Sequence, residues 1–208
     1  MTNSIFNDES IIGVDGYIKI WDPNSGDIFV NKHNAVHPEN FSTAIASALA
    51  ALLVSGTATV ANTIYEMHFG NGGTTVSGTG VVTYKAPNVN VTTDDLYNKT
   101  YFKVIDANDT VNNLDPTNNF MAVTHVAGTT YTDVVTTCTL DYAEPTGQDV
   151  LDNSTDMEGT YIFDELGLKS KAATLGAGLL LTHVTFHPVQ KSANRLIQVV
   201  YTLRIRVG

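Results

Sequence analysis

The chain has 208 residues, 43% of them apolar, a single cysteine and a formal net charge of −10. One cysteine excludes an internal disulfide and a cysteine-cluster metal site, and the acidic balance disfavours sequence-specific binding to nucleic acid. The longest apolar stretches, residues 44–54 and 177–181, fall short of the ~20 residues that cross a bilayer, so no membrane contact is expected. Length and composition predict one domain over residues 1–208.

The N-terminal part of the domain predicts a β-hairpin followed by a helix. Gly16–Asp22 and Asp27–Val30 have the composition of short strands, and a Pro-Asn-Ser-Gly turn separates them. Pro38 and Glu39 then form a favoured first turn, and apolar residues recur at helical spacing, which predicts one helix near residues 38–54. The other face of this helix carries small residues. The helix therefore either lies buried under a sheet or packs against another subunit.

From Thr63 onward the apolar pattern changes to that of strands. Residues 63–69 and 81–84 are predicted to be two strands, and the Gly- and Thr-rich residues 70–80 are predicted to be a flexible connection between them. Asn71, Gly72 and Gly73 imitate part of a phosphate loop. The Lys-Ser/Thr pair and the following helix of such a loop are absent from the sequence, so a hairpin loop is the better interpretation.

The second half of the chain predicts loops and two long strands. Residues 87–99 and 106–119 are polar and are expected to be surface loops. Along residues 134–142 one strand face is apolar or small, so Cys138 is predicted to point inward and to be unreactive. Residues 197–207 alternate apolar and polar over their full length. One helix among about eight strands predicts a mainly β fold, a β-sandwich or barrel-like domain with one α-helix.

Charge is separated along the chain. Residues 1–165 hold five Lys/Arg and 21 Asp/Glu, whereas residues 166–208 hold six Lys/Arg and no acid. Residues 104–168 contain twelve acids and no base. This stretch is either a solvated acidic face or the partner of the basic segment, within one subunit or across a subunit contact. The predicted electrostatic interface consists of Lys191, Arg195, Arg204, Arg206, Asp133, Asp141, Glu144 and Asp164.

Metal-binding patterns are weak. His183 and His187 lie four residues apart, which on a strand places both rings on one face, and His33 and His37 repeat the spacing. Nothing in the sequence brings the two pairs together, and metal sites need three or four converging ligands, so no metal or cofactor is predicted. Calcium bound by the acidic stretch stays open as an alternative, although the Gly and Glu of a calcium loop are missing.

Catalytic patterns are weaker still. The sequence contains neither Gly-x-Ser-x-Gly nor His-Glu-x-x-His, and the adjacent acids Asp164 and Glu165 are expected to be ordinary surface residues. We therefore expect no catalytic residues and no enzyme activity. A cell-wall hydrolase is the enzymatic alternative, which a test for clearing of peptidoglycan would detect.

Four blocks of the sequence carry a resemblance. They are GYIKIWDPNSGDIFVNKHNAVHPENFSTAIASALA, YEMHFGNGGT, DMEGTYIFDELGL and LLTHVTFHPVQKSANRLIQVVYTLRI. They resemble a group of tailed-bacteriophage virion structural proteins of the neck, collar or tail, over roughly half to two thirds of the chain. The resemblance implies a component of the phage particle without an active site.

The role expected from this resemblance is a ring- or collar-forming protein at the head-to-tail (neck) region. The alternative is a capsid decoration protein or a binding module associated with the tail or fibre. The expected partners are copies of the chain and other virion proteins, and the expected location is the virion, after assembly in the host cytoplasm.

Overall fold

The computed structural model of the chain describes residues 12–49, 63–105, 117–142, 144–145 and 160–207. These residues form twelve strands and one helix. In chain order the elements are β1 (Ile12–Trp21), β2 (Ile28–His33), β3 (Ala35–Val36), α1 (Pro38–Leu49), β4 (Ile64–Gly70), β5 (Thr74–Val76), β6 (Val82–Tyr84), β7 (Lys99–Val104), β8 (Phe120–His125), β9 (Tyr131–Leu140), β10 (Thr160–Ser170), β11 (Thr182–Ser192) and β12 (Ile197–Val207).

Two antiparallel five-stranded sheets make up a β-sandwich. The first sheet has the order β2-β1-β12-β9-β8, and the second has the order β3-β11-β10-β4-β7. Strands β5 and β6 form a separate two-stranded hairpin. The expected mainly β fold with a single helix is confirmed for the described residues. Among the described residues, no helix is long and apolar enough to cross a bilayer.

The core lies between the two sheets and is built by period-two alternation. The first sheet contributes alternate residues such as Ile18 and Ile20 of β1, and the second contributes aromatic residues that contact one another edge to face. The ring of Phe163 lies 5.4 Å from that of Phe69 and 5.9 Å from that of Phe186. Such aromatic contacts add to the free energy gained by burying apolar surface.

The predicted N-terminal hairpin is present as β1 and β2. Asp22 ends β1, and its Oδ1 accepts a hydrogen bond from the amide of Asn24 (2.9 Å), while Gly26 takes a positive φ of 82° that favours glycine. Helix α1 begins at the predicted Pro38. Residues 50–54 of the expected helix lie outside the described part of the chain. Along the described part of α1, Ala44 is buried and Ala48 is exposed.

Helix α1 begins at a histidine cap. The Nδ1 atom of His37 accepts a hydrogen bond from the amide of Asn40 (3.3 Å), and its Nε2 atom lies 2.8 Å from the carbonyl of Val91. Since Nδ1 accepts, Nε2 carries the proton and donates. Capping by His37 satisfies one of the free amides of the first turn.

The long C-terminal strand is confirmed and lies at the centre of the first sheet. β12 pairs with β1 on one side and with β9 on the other, and Ile197, Val199, Tyr201 and Leu203 of its apolar face are buried in the core between the sheets. Cys138 is buried, as predicted. Tyr142, which was expected on the same face, is exposed because β9 ends at Leu140.

The predicted pairing of residues 63–69 with residues 81–84 is wrong. β4 pairs with β10 and β7, and residues 74–76 form a strand inside what appeared to be a flexible connection. The alternation of apolar and polar residues and the composition identify a strand, but they do not say which other strand supplies its hydrogen bonds. The pairing partner is decided in the folded chain by contacts between strands that are far apart in sequence.

Candidate functional site: an anchored hairpin arm

The hairpin of β5 and β6, residues 74–84, belongs to neither large sheet, contacts β11 of the second sheet and is called the arm. Its turn is closed by hydrogen bonds from the amide of Ser77 to the carbonyl of Val81 (3.0 Å) and from the amide of Gly80 to the carbonyl of Ser77 (2.9 Å). Gly80 has a φ of 81°, which a side chain would strain.

One face of the arm is apolar and the other is polar. The cross-strand pairs are Thr74–Tyr84, Thr75–Thr83 and Val76–Val82. Paired residues share a face, so Val76, Val82 and Tyr84 lie together and the threonine pair lies opposite. Val76 is 62% exposed, Tyr84 is 50% exposed, and Val81, in the turn before β6, is 60% exposed. Single exposed apolar residues are ordinary on a protein surface, but a contiguous group on one projecting element indicates a contact site.

Asp164 anchors the start of the arm. Its Oδ1 accepts a hydrogen bond from the amide of Gly73 (2.8 Å), and its Oδ2 accepts from the amide of Thr74 (2.9 Å) and from the hydroxyl of the same threonine. A Cβ atom on Gly73 would lie 2.7 Å from the carbonyl oxygen of Asp164, so the close approach requires glycine. The second strand of the arm is fixed by the amide of Lys85, which donates to the carbonyl of Gly73 (2.9 Å).

Glu165 anchors the segments on either side. Its Oε1 accepts hydrogen bonds from the amides of Gly72 (3.0 Å) and Asn98 (2.7 Å). Its Oε2 accepts from the amide of Tyr97 (2.9 Å) and from Nε2 of His183 (3.0 Å). All four partners are donors, so the ionised carboxylate is the form that the site requires. Glu165 thereby ties the loop before the arm to the loop of residues 87–98.

His183 continues this network. Its Nδ1 accepts a hydrogen bond from the amide of Asn88 (2.7 Å), which leaves the proton on Nε2 for the bond to Glu165. The ring is therefore neutral in this arrangement, because a protonated ring has no acceptor. The hydroxyl of Thr185, two residues on, donates to the carbonyl of Lys85 (2.9 Å) and holds the end of the arm against β11.

The pKa values of the two adjacent acids, Asp164 and Glu165, are shifted in opposite directions. Burial raises the pKa of Asp164, and its hydrogen bonds to Thr74 and Gly73 offset only part of that effect. Burial also acts to raise the pKa of Glu165, but hydrogen bonds from His183 and from the amides of Asn98 and Tyr97 outweigh it, so the pKa is lowered. The expectation that both are ordinary surface acids is wrong. Asp164 is 4% exposed and Glu165 is fully buried.

A second buried polar cluster lies on the same outer face of the second sheet. Both carboxylate oxygens of Glu66 accept from the amide of Gly176 (3.0 Å each), and Oε2 lies 2.8 Å from Nε2 of His68. Nζ of Lys169 lies 2.8 Å from Oδ2 of Asp95. Burial lowers the pKa of both His68 and Lys169. This cluster holds the loop of residues 171–180 on the sheet, as Glu165 holds the loop of residues 87–98.

Of the predicted basic interface residues, Arg204 and Arg206 lie on β12 of the first sheet, Arg195 lies in the loop before β12, and Lys191 lies on β11 of the second sheet. Arg204 forms a two-pronged ion pair with Asp133 of the neighbouring strand, with both N–O distances 2.8 Å. Arg206 lies 3.0 Å from Asp15, and Arg195 lies 3.6 Å from Asp22. Three of the four bases thus have an acidic partner within the same chain.

The remaining predicted interface residues lie in different environments. Nζ of Lys191 donates to the carbonyl of Ser192 (2.9 Å), and burial lowers its pKa. Glu144 pairs with Lys103 (2.8 Å), and Asp141 is exposed. Of the eight residues, the structure brings together only Arg204 and Asp133 as a direct ion pair. Asp164 lies away from them, at the base of the arm. A contact of these residues across subunits stays a prediction.

The two histidine pairs do not converge. His183 is buried and His187 is exposed. Val184 and Phe186 lie in the core, so His183 and His187 alternate with them onto the outer face of β11, as predicted. The register of β10 and β11 shifts between Phe163 and Glu165, and the strict alternation of β11 is broken only after His187, where Val189 is the next core residue. Within the residues that the structure describes, no group of three or more metal-ligating side chains is present.

Sequence reasoning missed the arm and its two anchoring acids. The available signal was the pair of β-prone segments Thr-Thr-Val and Val-Thr-Tyr on either side of a Gly-containing turn. No family model, no curated protein and no solved structure matches the chain.

Proposed function

We propose that the chain is a structural subunit that assembles with copies of itself or with partner proteins, as a ring- or collar-forming component at the neck of a tailed phage particle. The observation that carries the assembly role is the exposed apolar face of the arm on a firmly anchored base. The neck location rests on the sequence resemblance. The capsid decoration module remains the alternative role.

The anchoring supports a contact function for the arm. An isolated two-stranded hairpin is at best marginally stable in water, so its conformation depends on the groups at its base. Asp164 and Glu165 supply seven hydrogen bonds there, six of them from backbone amides and side chains of the arm and the adjoining loops and one from His183. A rigid projecting element with exposed apolar residues loses little conformational entropy on association.

The assembly role is tested by the solution mass of the full chain and of two matched variants. Val76→Asp places a charge on the apolar face of the arm, and Thr75→Asp places the same charge one residue away on the polar face. We expect the unaltered chain and Thr75→Asp to form the same oligomer and Val76→Asp to be smaller, because burying an unpaired carboxylate opposes contact. A chain that is monomeric at every concentration would overturn self-assembly and with it the ring- or collar-forming role.

The location is tested by micrographs of virions that carry a labelled chain. Label at the junction of head and tail supports the neck role. Label spread over the capsid shell, together with binding of the purified chain to assembled capsids, would favour the decoration module instead.

A further inference from the structure

Strand β8 is an open edge of the first sheet. It pairs with β9 in regular register over all six residues, from Phe120–Thr137 to His125–Thr132. Among the residues that the structure describes, no strand pairs with its other side. Val123 in the middle of the strand is 72% exposed. Within the described part of the chain, its outer row of backbone N–H and C=O groups has no strand as a partner.

The other edges of the two sheets carry protection that β8 lacks. On β2, Lys32 reaches across to the carbonyl of Thr185 (2.8 Å), and β7 carries Lys99 and Lys103. Strand β3 has only two residues. Lysines, bulges, prolines and shortness are the devices that prevent an edge from pairing with another chain. β8, with the sequence FMAVTH, has no Lys, no proline and no irregularity in its pairing.

The arm lacks a third strand, which an edge strand such as β8 could supply. It consists of two strands of three residues each, and a third strand would bring it to the number at which sheets become independently stable. Its strands, like β8, contain no Lys, Arg, Asp or Glu. In a chain of net charge −10, contact between two uncharged β-prone elements avoids the repulsion that opposes other contacts between copies.

The two surfaces lie on different sides of the sandwich. The end of the arm is held to β11 through Thr185, and the carbonyl of this residue also binds Lys32 of the edge strand β2. Strand β8 is at the opposite edge of the first sheet from β2. An arm held at this position lies across the first sheet from β8 of its own copy, so a contact between the two surfaces has to be made with another copy.

We propose that the arm of one copy adds to the open edge of β8 of the next copy, as an extra strand pair in its sheet. This inference rests on the proposed assembly function and names the partner surface. Since the two surfaces differ, the contact is head to tail, and its repetition produces a closed ring or an open filament rather than a symmetric dimer. Backbone hydrogen bonds supply the pairing, and Val76 and Val123 supply apolar contact.

The pairing is tested by cross-linking two single variants of the full chain. Val76→Cys and Val123→Cys are purified separately, mixed and treated with a short bis-maleimide. The unaltered chain, whose Cys138 is buried, is the control. We expect a covalent dimer that contains one copy of each variant, identified by isotope labelling of one of them, and little product from either variant alone. Products of each variant only with itself, or no product from a chain that is oligomeric by mass, would overturn this pairing while leaving the assembly function standing.

A charge on the edge provides a second test. Val123→Lys adds the residue that commonly blocks edge pairing, and Val126→Lys adds the same residue just beyond the strand, at another exposed valine. We expect Val123→Lys to raise the concentration needed for assembly by roughly tenfold or more and Val126→Lys to leave it near that of the unaltered chain. Equal behaviour of the two variants in an assembling chain would exclude β8 as the partner. A monomeric unaltered chain would instead remove the assembly function itself.

Discussion

The outer faces of the two sheets use charge in opposite ways. On the second sheet, Glu66, Glu165 and Lys169 are buried under loops and bind backbone amides or a single counter-charge. On the first sheet, Arg204 and Arg206 pair with acids of neighbouring strands at the protein surface. Buried charges without their partners are strongly destabilising, whereas exposed pairs are screened by water and salt. The buried charges of the second sheet determine where the loops and the arm lie. The exposed ion pairs of the first sheet contribute mainly to the alignment of neighbouring strands.

The largest effect is expected from Glu165→Ala. It removes the acceptor of three amides and of His183, and we expect the free energy of unfolding in urea to fall by about 3–5 kcal/mol. Asp141→Ala, at an exposed acid, is the control and is expected to change it by no more than about 0.5 kcal/mol. Glu165→Gln preserves the volume but offers an NH₂ group to donors, so we expect a large loss there as well. A loss confined to Glu165→Ala would assign the effect to volume instead of hydrogen bonding.

The contribution of Glu165 also has a defined pH dependence. Its pKa in the folded chain is lowered, so the stabilisation is fully present above its ordinary value of 4.5 and is lost as the pH falls through the lowered value. The difference in unfolding free energy between the unaltered chain and Glu165→Ala should therefore shrink below pH 4.5. A difference that stays constant into strong acid would contradict the lowered pKa.

Asp164→Ala is expected to have an intermediate effect that is concentrated in the arm. Loss of one acceptor leaves the amides of Gly73 and Thr74 without their partner, at a cost of about 1–3 kcal/mol. Hydrogen exchange should accelerate at these two amides and at those of the arm, while the amides of β12 keep their protection. Uniform acceleration over the whole chain would show that Asp164 stabilises the sandwich and not the arm in particular.

His68 provides a smaller, pH-dependent effect in the second buried cluster, where Glu66, Lys169 and Asp95 are the neighbouring charges. Its pKa is lowered by burial, so the unfolded chain takes up a proton below pH 6.5 while the folded chain does not. Stability should fall as the pH decreases from 6.5 toward the lowered pKa, by at most about 1.4 kcal/mol per pH unit. His68→Gln, which keeps a donor for Glu66, should reduce this slope in urea titrations. An unchanged slope would assign the proton uptake to another group.

The smallest effect is expected at the surface pair of Arg204 and Asp133. Arg204→Met and Asp133→Asn should each shift the urea midpoint less than any variant of the buried acids, and a double-mutant cycle should give a small coupling that decreases with salt. The hydrogen bond from Arg204 holds the pKa of Asp133 below its ordinary value, so any coupling is lost in acid. A coupling energy as large as the loss of stability in Glu165→Ala would contradict the view that exposed pairs on the first sheet contribute less than buried charges on the second sheet.

Much of the fold followed from local pattern. Alternation over residues 197–207 predicted β12, the Pro-Asn-Ser-Gly turn predicted the hairpin of β1 and β2, and Pro38 marked the start of α1. These features depend on residues near one another in sequence, so period, turn chemistry and capping identify them. Burial of Cys138 followed for the same reason, from its place in an alternating strand.

The anchors of the arm did not follow from local pattern, and of the arm itself only the strand at residues 81–84 was predicted. Asp164 and Glu165 are as polar as any surface acid, and only the folded chain brings the amides of Gly72, Gly73 and Asn98 to them. The sequence by itself determined strand periods, turns and the separation of acidic from basic segments. The tertiary structure alone decided which strands pair beyond the β1–β2 hairpin, which charges are buried and which strands form the edges of the described sheets, because each depends on contacts between residues far apart in the chain and on how much water the packing excludes.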